Sequence, residues 1–422
     1  MRGEASGGGE DGGWVAPPQP EGCGIECWRC LGLQAEVGRS HPVSMKTEPF
    51  VVNIGPQHPS THGVFRMRLT LDGERIIDAD MVIGYLHRSM EKLAEERSYT
   101  QNIPFTDRTD YVAAMTGNLA YVLAVEKLCG IEPPERASWL RVMMSELQRF
   151  ASHSMAVGVF ANDCGTWQTP VMHMFREREK ILDLFEMACG ARLTTNYMRI
   201  GGVSRDVPPE FMPAAHKLIE ELPKRMVEYE DLLLENEIIV ARSRGIGVLT
   251  PEVAIDCSLS GPMLRGSGVA WDIRKADPYC VYDKLEFDIC VGTDGDAYDR
   301  FLVRLAEMRQ SIHIVEQCLE MMPEGPVHSQ ITTATAQPGV APSAPLAIRV
   351  PAGEAYGRIE SPRGELGFYI ISDGGPAPYR FHIRSPSYIN LTPLRDLAIG
   401  ATVADAIVIL GSIDIIVGEI DR

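Results

Sequence analysis

The stretch at 55–63, GPQHPSTHG, excludes regular secondary structure at its place in the chain. Each proline fixes its own backbone and disfavours the helical conformation in the residue before it. The glycines at both ends permit tight turns. We therefore predict a rigid polar loop that carries two imidazoles, His58 and His62, between two apolar runs. Such a loop can bind a metal, donate protons or only hydrogen-bond its neighbours, and the stretch by itself leaves these alternatives open.

A β-hairpin is predicted directly after this loop. Residues 64–71 alternate between apolar and polar side chains, Asp72 and Gly73 form a turn signal, and residues 75–82 run back. This hairpin predicts a small N-terminal antiparallel sheet, which presents the histidine loop at one of its ends.

Helical patterns dominate the middle of the chain. Apolar residues recur at helical spacing, prolines or capping residues mark the starts, and glycines mark several of the ends. The predicted helices span residues 86–100, 109–129, 134–160, 170–189 and 208–236. Helices of this length with short connections predict a central antiparallel bundle.

The C-terminal part is predicted to be mixed and rich in β-structure. Its predicted elements are strand-like fragments at 281–289, a helix at 299–322, an uncharged loop at 323–345, strands at 355–360, 366–372 and 379–384, and a helix at 402–411. The predicted fold class is therefore α+β, mainly α. We predict four parts along the chain. Residues 1–44 form an extension, and residues 45–85 form the N-terminal sheet with the histidine loop. Residues 86–243 form the helical bundle, and residues 244–422 form a mixed part that closes a cavity.

Charge and hydropathy exclude two classes of protein. The formal net charge of −17 argues against nucleic acid as a partner, because phosphate binding depends on clustered lysines and arginines. No apolar run reaches the ~20 residues that a membrane-spanning helix needs. The sequence therefore predicts a soluble chain, or one that contacts a membrane only through partner proteins.

Ten cysteines are spread along the chain. Seven are isolated in mostly apolar surroundings, which favours reduced, buried thiols in a cytoplasmic compartment. The other three, Cys23, Cys27 and Cys30, supply three thiolates where a zinc or iron–sulfur site usually has four. They lie in an acidic lead rich in glycine and proline. We therefore interpret residues 1–44 as a disordered extension, or Met45 as the real beginning.

The motifs of several common enzymes are missing. There is no phosphate-cradling loop, no complete dinucleotide fingerprint and no nucleophile elbow. The titratable candidates that remain are His58, His62, His87, His153, Asp163, Tyr111 and the charged run at 176–179. We interpret His153 as a core histidine, and the run at 176–179 as a solvated helix face with internal ion pairs.

Several segments together carry a resemblance that covers residues 45–422. They are GPQHPSTHG at 55–63, GYLHRSMEK at 84–92, QNIPFTDRTDY at 101–111, ELQRFASH at 146–153, FRERE at 175–179, NYMRIGGV at 196–203, SGPMLRGSG at 260–268, RGELGFYI at 363–370 and GSIDIIVGEIDR at 411–422. By these motifs the chain closely resembles the D-type subunits of bacterial NADH–quinone oxidoreductase, the respiratory complex I.

The resemblance implies a fold like that of the large subunit of nickel–iron hydrogenases, whose metal is held by two Cys-x-x-Cys pairs. The matching positions here are Asp110, Ala113, Ile416 and Glu419, and none carries sulfur. A nickel–iron centre needs soft thiolate donors, so we expect no metal site. A hydrogenase-like large subunit, or a ferredoxin-driven relative of the same complex, is the alternative function.

The resemblance further implies a quinone-binding cavity. His62 and Tyr111 match the two hydrogen-bond donors to the quinone carbonyls, and Asp163 matches the carboxylate that orients His62. His58 is grouped with the quinone-binding residues, although chiefly as a structural residue of the turn. Arg88 matches an arginine that lies close to the terminal Fe–S cluster of the neighbouring B-type subunit.

The implied function is two-electron quinone reduction coupled to proton translocation. Quinone is the substrate, while NAD, FMN and the Fe–S clusters belong to other subunits and none is expected to be held tightly by this chain. The expected partners are subunits of the B, C, I, H and A types. Membrane contact is expected through them, at the cytoplasmic face of the bacterial inner membrane. The residues leave open ubiquinone or menaquinone as acceptor, and NADH or ferredoxin as electron donor.

Overall fold

The computed structural model describes residues 48–329, 348 and 350–422. The predicted extension at 1–44, with its three cysteines, lies outside the described residues, and so does most of the predicted loop at 323–345.

Helices make up most of the regular structure in this described part, and the sheets are small and antiparallel, so the predicted α+β, mainly α, fold class is confirmed. The finer division into parts at 45–85, 86–243 and 244–422 stays a prediction. None of the described helices combines the length and the apolar character that crossing a lipid bilayer requires.

The regular elements of the described residues are α-helices, β-strands and 3-10 helices. In chain order the α-helices are α1 (Met90–Glu95), α2 (Tyr99–Thr106), α3 (Ala114–Cys129), α4 (Glu135–Asp163), α5 (Thr169–Cys189), α6 (Phe211–Leu233), α7 (Glu237–Ser243), α8 (Pro251–Asp256), α9 (Pro262–Gly266), α10 (Ile273–Ala276), α11 (Ala297–Met321), α12 (Pro386–Asn390), α13 (Leu394–Ala398), α14 (Val403–Ile413) and α15 (Val417–Ile420). The strands are β1 (Phe50–Ile54), β2 (Arg66–Asp72), β3 (Arg75–Val82), β4 (Met198–Arg199), β5 (Gly202–Val203), β6 (Gly353–Ser361), β7 (Gly364–Ser372) and β8 (Arg380–Arg384). Short 3-10 helices span Pro59–Thr61 and Tyr282–Lys284.

The N-terminal sheet has the order β1-β2-β3, with both neighbouring pairs antiparallel. The predicted hairpin is confirmed as β2 and β3. On β2 the side chains of Met67 and Leu69 are buried and that of Arg68 is exposed, because successive side chains of a strand point to opposite faces. The histidine loop joins β1 to β2 at one end of this sheet.

The predicted helix at 86–100 is wrong in its extent, because the chain forms two short helices, α1 and α2, in this region. Ser98 starts the second one. Its hydroxyl accepts the backbone N–H of Gln101, and the Gln101 side chain accepts the N–H of Ser98. Such a reciprocal capping box satisfies backbone donors at a helix start. It begins a new helix at a point where the apolar pattern alone predicted that the first helix continues.

The antiparallel bundle is confirmed and consists of α4, α5, α6 and α11, each packed against two of the others. Phe160 of α4 stacks on Phe301 of α11, while Glu146 of α4 bonds Ser311 of α11. The contact residues on α11 have higher numbers where those on α4 have lower ones, so these two helices run in opposite directions. The short connection between α4 and α5 gives that pair the same relation.

Helix α3 packs between this bundle and the C-terminal sheet, whose strands pair antiparallel in the order β6-β7-β8. The approach to β6 is close, since a Cβ added at Gly357 would lie 2.5 Å from the backbone nitrogen of Ala124. The three predicted strands are confirmed, with β6 and β7 each longer than expected.

The strand-like fragments predicted at 281–289 are wrong, since this segment contains a 3-10 helix and no strand. Its backbone finds side-chain partners instead of a neighbouring strand. The N–H groups of Glu286 and Asp288 donate to the side-chain oxygens of Gln317 and Gln310 on α11. Backbone N–H groups of this segment are therefore hydrogen-bonded by side chains of a helix, which its strand-like composition does not indicate.

The charged run on α5 corrects another prediction. Glu177 is fully buried and Arg178 is nearly so, whereas Glu179 is exposed. The run therefore lies only partly on a solvated face, while its internal ion pair, between Arg176 and Glu177, is present as predicted. His153 of α4 is also buried, and its Nε2 lies 2.8 Å from Glu307 of α11, as a core histidine. Burial opposes the charge on Glu307, yet Arg265 and His153 outweigh it and hold its pKa below the ordinary value.

A second apolar core lies between the N-terminal sheet and the C-terminal helices. Two backbone hydrogen bonds tie β3 to the start of α14: the N–H of Ile76 donates to Ala401, and the N–H of Gly400 donates to Ile76. The two ends of the described chain therefore fold together, and they bring α14 and the final segment beside the histidine loop.

Candidate functional site

The histidine loop is held by its own hydrogen bonds. Nδ1 of His58 accepts the backbone N–H of Ser60 at 3.2 Å. The buried hydroxyl of Thr61 lies 2.7 Å from the carbonyl oxygen of His58 and 2.9 Å from that of Gly63. His62 has a φ of 54°, in the left-handed region that non-glycine residues seldom occupy. His58 is thus engaged within the turn, whereas the ring of His62 is directed out of it.

His62 forms a pair with Asp163, the last residue of α4. Its Nε2 lies 2.6 Å from Oδ2 of Asp163, and the two side chains are only 11% and 6% exposed. A carboxylate oxygen at this distance accepts the hydrogen of Nε2, which fixes the tautomer and the orientation of the ring. It also leaves Nδ1 as the ring nitrogen that is free to contact a ligand.

Tyr111 lies on the non-helical lead into α3, although the sequence predicted a helix from residue 109. The cause is Asp110, whose Oδ1 accepts the N–H groups of Val112 and Ala113 at 3.1 and 3.0 Å. Such local side-chain bonds compete with helix formation. Tyr111 remains 40% exposed. Burial of the rest raises the pKa of its phenol despite the nearby Arg363, so the hydroxyl is neutral and able to donate.

One cavity of about 470 Å³ brings together His58, His62 and Tyr111. Most of its wall is apolar and comes from the histidine loop, the lead into α3, α4 and the segment after α14. The apolar lining residues are Val64, Val112, Met155, Ala156, Val159, Ile415 and Ile416. A concave, mainly apolar space with a few convergent polar groups is the usual form of a small-molecule site.

Arg363 also lines this cavity, and no sequence pattern pointed to it. It is buried, with one guanidinium nitrogen 2.7 Å from Asp110 and its Nε donating to the backbone oxygen of Asp414 at 3.1 Å. Burial raises the pKa of the Asp110 carboxyl in spite of this arginine. Arg363 follows Pro362 in a tight turn between two strands, where an arginine is ordinarily exposed, so no local signal indicated its burial.

Glu419 completes the buried charges behind the cavity. The hydroxyl of Ser387 donates to it at 2.8 Å. Burial, and then the charge of Asp110, raise the pKa of Glu419 to about 8. Two of the four positions that match hydrogenase cysteines, Asp110 and Glu419, are therefore buried carboxyls, and the charge of Arg363 acts on both. The other two, Ala113 and Ile416, carry no donor atom.

Arg88 does not line this cavity. It is exposed on the segment between β3 and α1. That segment is fixed by Asp421, whose carboxylate accepts the N–H groups of Gly84 and Leu86 at 2.8 and 2.7 Å. Nδ1 of His87 lies 2.7 Å from the backbone oxygen of Asp421. The structure thus gathers His58, His62, Tyr111 and Asp163 and sets Arg88 apart, and the roles of all five stay predictions.

Comparison with known proteins identifies the family. Residues 163–422 match the family model described as respiratory-chain NADH dehydrogenase, 49 Kd subunit. The chain is 54% identical over 380 residues to the D-type subunit of NADH-quinone oxidoreductase from Dehalococcoides mccartyi, a match that covers 90% of this chain and all of that protein. It is 55% identical over 378 residues to one of the D-type subunits of Roseiflexus sp., with 90% of this chain and all of that protein covered. The D-type subunit of Clostridium beijerinckii is 50% identical over 378 residues, with 90% and 98% covered. The resemblance found in the motifs is thereby confirmed: the chain belongs to the family of the 49 kDa, or D-type, subunits of NADH–quinone oxidoreductase.

Proposed function

We propose that this chain forms the quinone-reduction site of a respiratory complex I. The observation that carries the proposal is the His62–Asp163 pair, whose histidine lines a mainly apolar cavity together with Tyr111. The apolar wall suits the ring and the isoprenoid tail of a quinone. The polar groups are few, and they suit its two carbonyl oxygens.

The proposed chemistry assigns a role to each of these side chains. Reduction of a quinone to a hydroquinone consumes two electrons and two protons. The phenol of Tyr111 and the free ring nitrogen of His62 donate hydrogen bonds to the two carbonyl oxygens and supply the protons as negative charge develops there. Asp163 orients the ring of His62 and stabilises its charged form before the proton leaves.

The remaining parts of the proposed reaction lie on other chains. NAD, FMN and the Fe–S clusters belong to partner subunits, and a cluster on a B-type subunit near Arg88 delivers the electrons. Partners of the C, I, H and A types complete the assembly, through which the chain contacts the cytoplasmic face of the membrane. Reduction of the quinone is coupled to proton translocation, and ubiquinone is among the candidate quinones. The electron donor is NADH, which the names of the relatives support.

Substitution of the two proposed donors tests this function. In the assembled complex we expect His62→Ala and Tyr111→Phe each to lower quinone reduction by about 100-fold, the usual worth of a positioned proton donor. Electron transfer to an artificial acceptor that bypasses the quinone site should stay normal. Matched controls are His313→Ala on the exposed face of α11 and Tyr379→Phe, which is 70% exposed. Normal quinone turnover in His62→Ala and Tyr111→Phe would overturn the proposal.

A further inference from the structure

Gly411 of α14 lies directly against the His62–Asp163 pair. A Cβ added at this glycine would lie 2.6 Å from Oδ2 of Asp163 and 3.6 Å from Cε1 of His62. Oδ2 is the same oxygen that bonds Nε2 of His62. The bare backbone of α14 therefore forms one wall of the space that the carboxylate occupies, and any side chain at 411 would enter that space.

Helix α14 is also bonded to α11, so it cannot easily move away from the pair. The buried Arg300 of α11 donates through Nε to the hydroxyl of Ser412 at 2.9 Å. Arg304, one turn later on α11, donates to the backbone oxygen of Ile413 at 3.0 Å. Two buried cations at the carbonyl end of a helix also complement its dipole. Moving α14 outward would break these bonds and leave buried donors without partners, which is costly.

The carboxylate has little freedom as well. Asp163 is nearly buried, and it ends α4, whose preceding residues pack in the bundle core. An ordinary contact requires about 3.4 Å or more, so a methyl group at 411 would displace Oδ2 by roughly 0.8 Å. A misplacement of about 1 Å at a reacting group can lower a rate by about 100-fold. The hydrogen bond to His62 would lengthen or turn away by a similar distance.

We infer that Gly411 is a positioning residue for quinone reduction. Because it has no side chain, the backbone of α14 can contact the Asp163 carboxylate closely, and this contact keeps the His62 ring in its orientation. The inference rests on the proposed function, because it acts through His62. Gly411 thus becomes a further residue that acts on this site. It lies on α14, near the C-terminal end of the chain, and does not itself line the cavity.

A double-mutant cycle in the assembled complex tests the inference. We expect Gly411→Ala to lower kcat for quinone reduction by about 10- to 100-fold with little change in KM, since the cavity wall is untouched. Asp163→Ala removes the atom that the new methyl group meets. In that background Gly411→Ala should therefore have almost no further effect, and the two substitutions should be strongly non-additive.

A second cycle provides the matched control. Gly158 on α4 is also a helical glycine at a close contact, where an added Cβ would lie 3.1 Å from Cα of Val171. It touches neither His62 nor Asp163 in this way. Gly158→Ala should therefore produce the same change in both the native and the Asp163→Ala backgrounds, as independent substitutions do.

The outcomes separate this inference from the proposed function. If Asp163→Ala leaves quinone reduction unchanged, the role of the His62–Asp163 pair fails and the inference fails with it. If Asp163→Ala lowers activity but Gly411→Ala is harmless or adds its effect in full, only the inference is overturned. If Gly411→Ala prevents assembly, the double variant decides: assembly restored by Asp163→Ala supports the inference, and continued failure overturns it.

Discussion

Single residues behind the cavity carry charges that the protein has removed from water. Asp110, Arg363 and Glu419 are all buried. A buried carboxyl group favours its neutral form unless cations and hydrogen bonds outweigh the loss of water. Arg363 donates a hydrogen bond of 2.7 Å to Asp110, whereas the hydroxyl of Ser387 donates to Glu419. Burial raises the pKa of both carboxyls. For Glu419 it reaches about 8, so this carboxyl holds a proton near neutral pH.

The raised pKa of Glu419 predicts how stability depends on pH. Its pKa is about 8 in the folded protein against an ordinary value of 4.5. Between these values the folded state holds a proton that the unfolded chain has released, so this contribution to stability is complete at low pH and is lost as pH rises through about 8. Glu419→Gln cannot ionise. We therefore expect the variant to melt higher than the native protein at about pH 9, with a smaller difference at about pH 6.

Thermal melting of the purified protein across this pH range is the measurement. Glu74→Gln, at an exposed position in the hairpin turn, is the matched control and should follow the native curve at every pH. A melting difference between Glu419→Gln and the native protein that is the same at both ends of the range would contradict the assignment of this proton to Glu419.

At the scale of elements, α14 connects the N-terminal sheet, the bundle and the histidine loop. It packs against α4, α11 and the 3-10 turn of that loop. Its start is defined by Thr402 and Asp405, which form a capping box: Thr402 Oγ1 accepts the N–H of Asp405 at 3.2 Å, and the Asp405 carboxylate accepts the N–H of Thr402. The same helix carries Gly411 near its end.

Loss of this cap should loosen α14 measurably. We expect Thr402→Ala to reduce the free energy of unfolding by about 1 kcal/mol, the usual cost of removing a threonine cap. Thr402→Ser keeps the hydroxyl and should cost much less. Denaturant unfolding of the purified protein measures both variants, and equal losses for alanine and serine would show that the methyl group of Thr402, rather than its hydroxyl, is what matters.

At the scale of the whole molecule, the cavity exists because distant parts of the chain meet. The histidine loop, the lead into α3, α4 and the final segment each contribute to its wall. The final segment also reaches past the cavity to the exposed region of Arg88, where Asp421 holds two backbone N–H groups. One tertiary arrangement thus connects the proposed quinone site with the proposed approach of the partner cluster.

Removal of the Asp421 carboxylate should act locally on that connection. We expect Asp421→Ala to increase hydrogen exchange at the amides of Gly84 and Leu86 at least about tenfold, because each loses a hydrogen bond to a charged group that is worth about 1.5 kcal/mol or more. The amide of Thr61 in the histidine loop donates to the backbone of His58 and should exchange as before. Unchanged exchange at Gly84 and Leu86 would contradict the role given to Asp421.

Much of the fold could be predicted because local rules govern it. The period of two at 64–71 and the turn at Gly73 determined the hairpin, and the long apolar periods determined the bundle helices. The failures came where side chains, some nearby and some distant in the sequence, hydrogen-bonded backbone groups that the patterns had assigned to a helix or a strand. Asp110 halted α3 short of Tyr111, and glutamines of α11 satisfied the segment at 281–289.

The site divides in the same way. The sequence by itself determined the rigid loop with His58 and His62, and the motifs named Tyr111 and Asp163 as companions. The contact between His62 and Asp163, which the resemblance had implied, is present in the structure. Only the tertiary structure decided that Arg363 is buried and that Gly411 touches the pair. The reason is physical: turns and periods depend on neighbours along the chain, whereas burial, charge pairing and close backbone contact depend on residues far apart in the sequence.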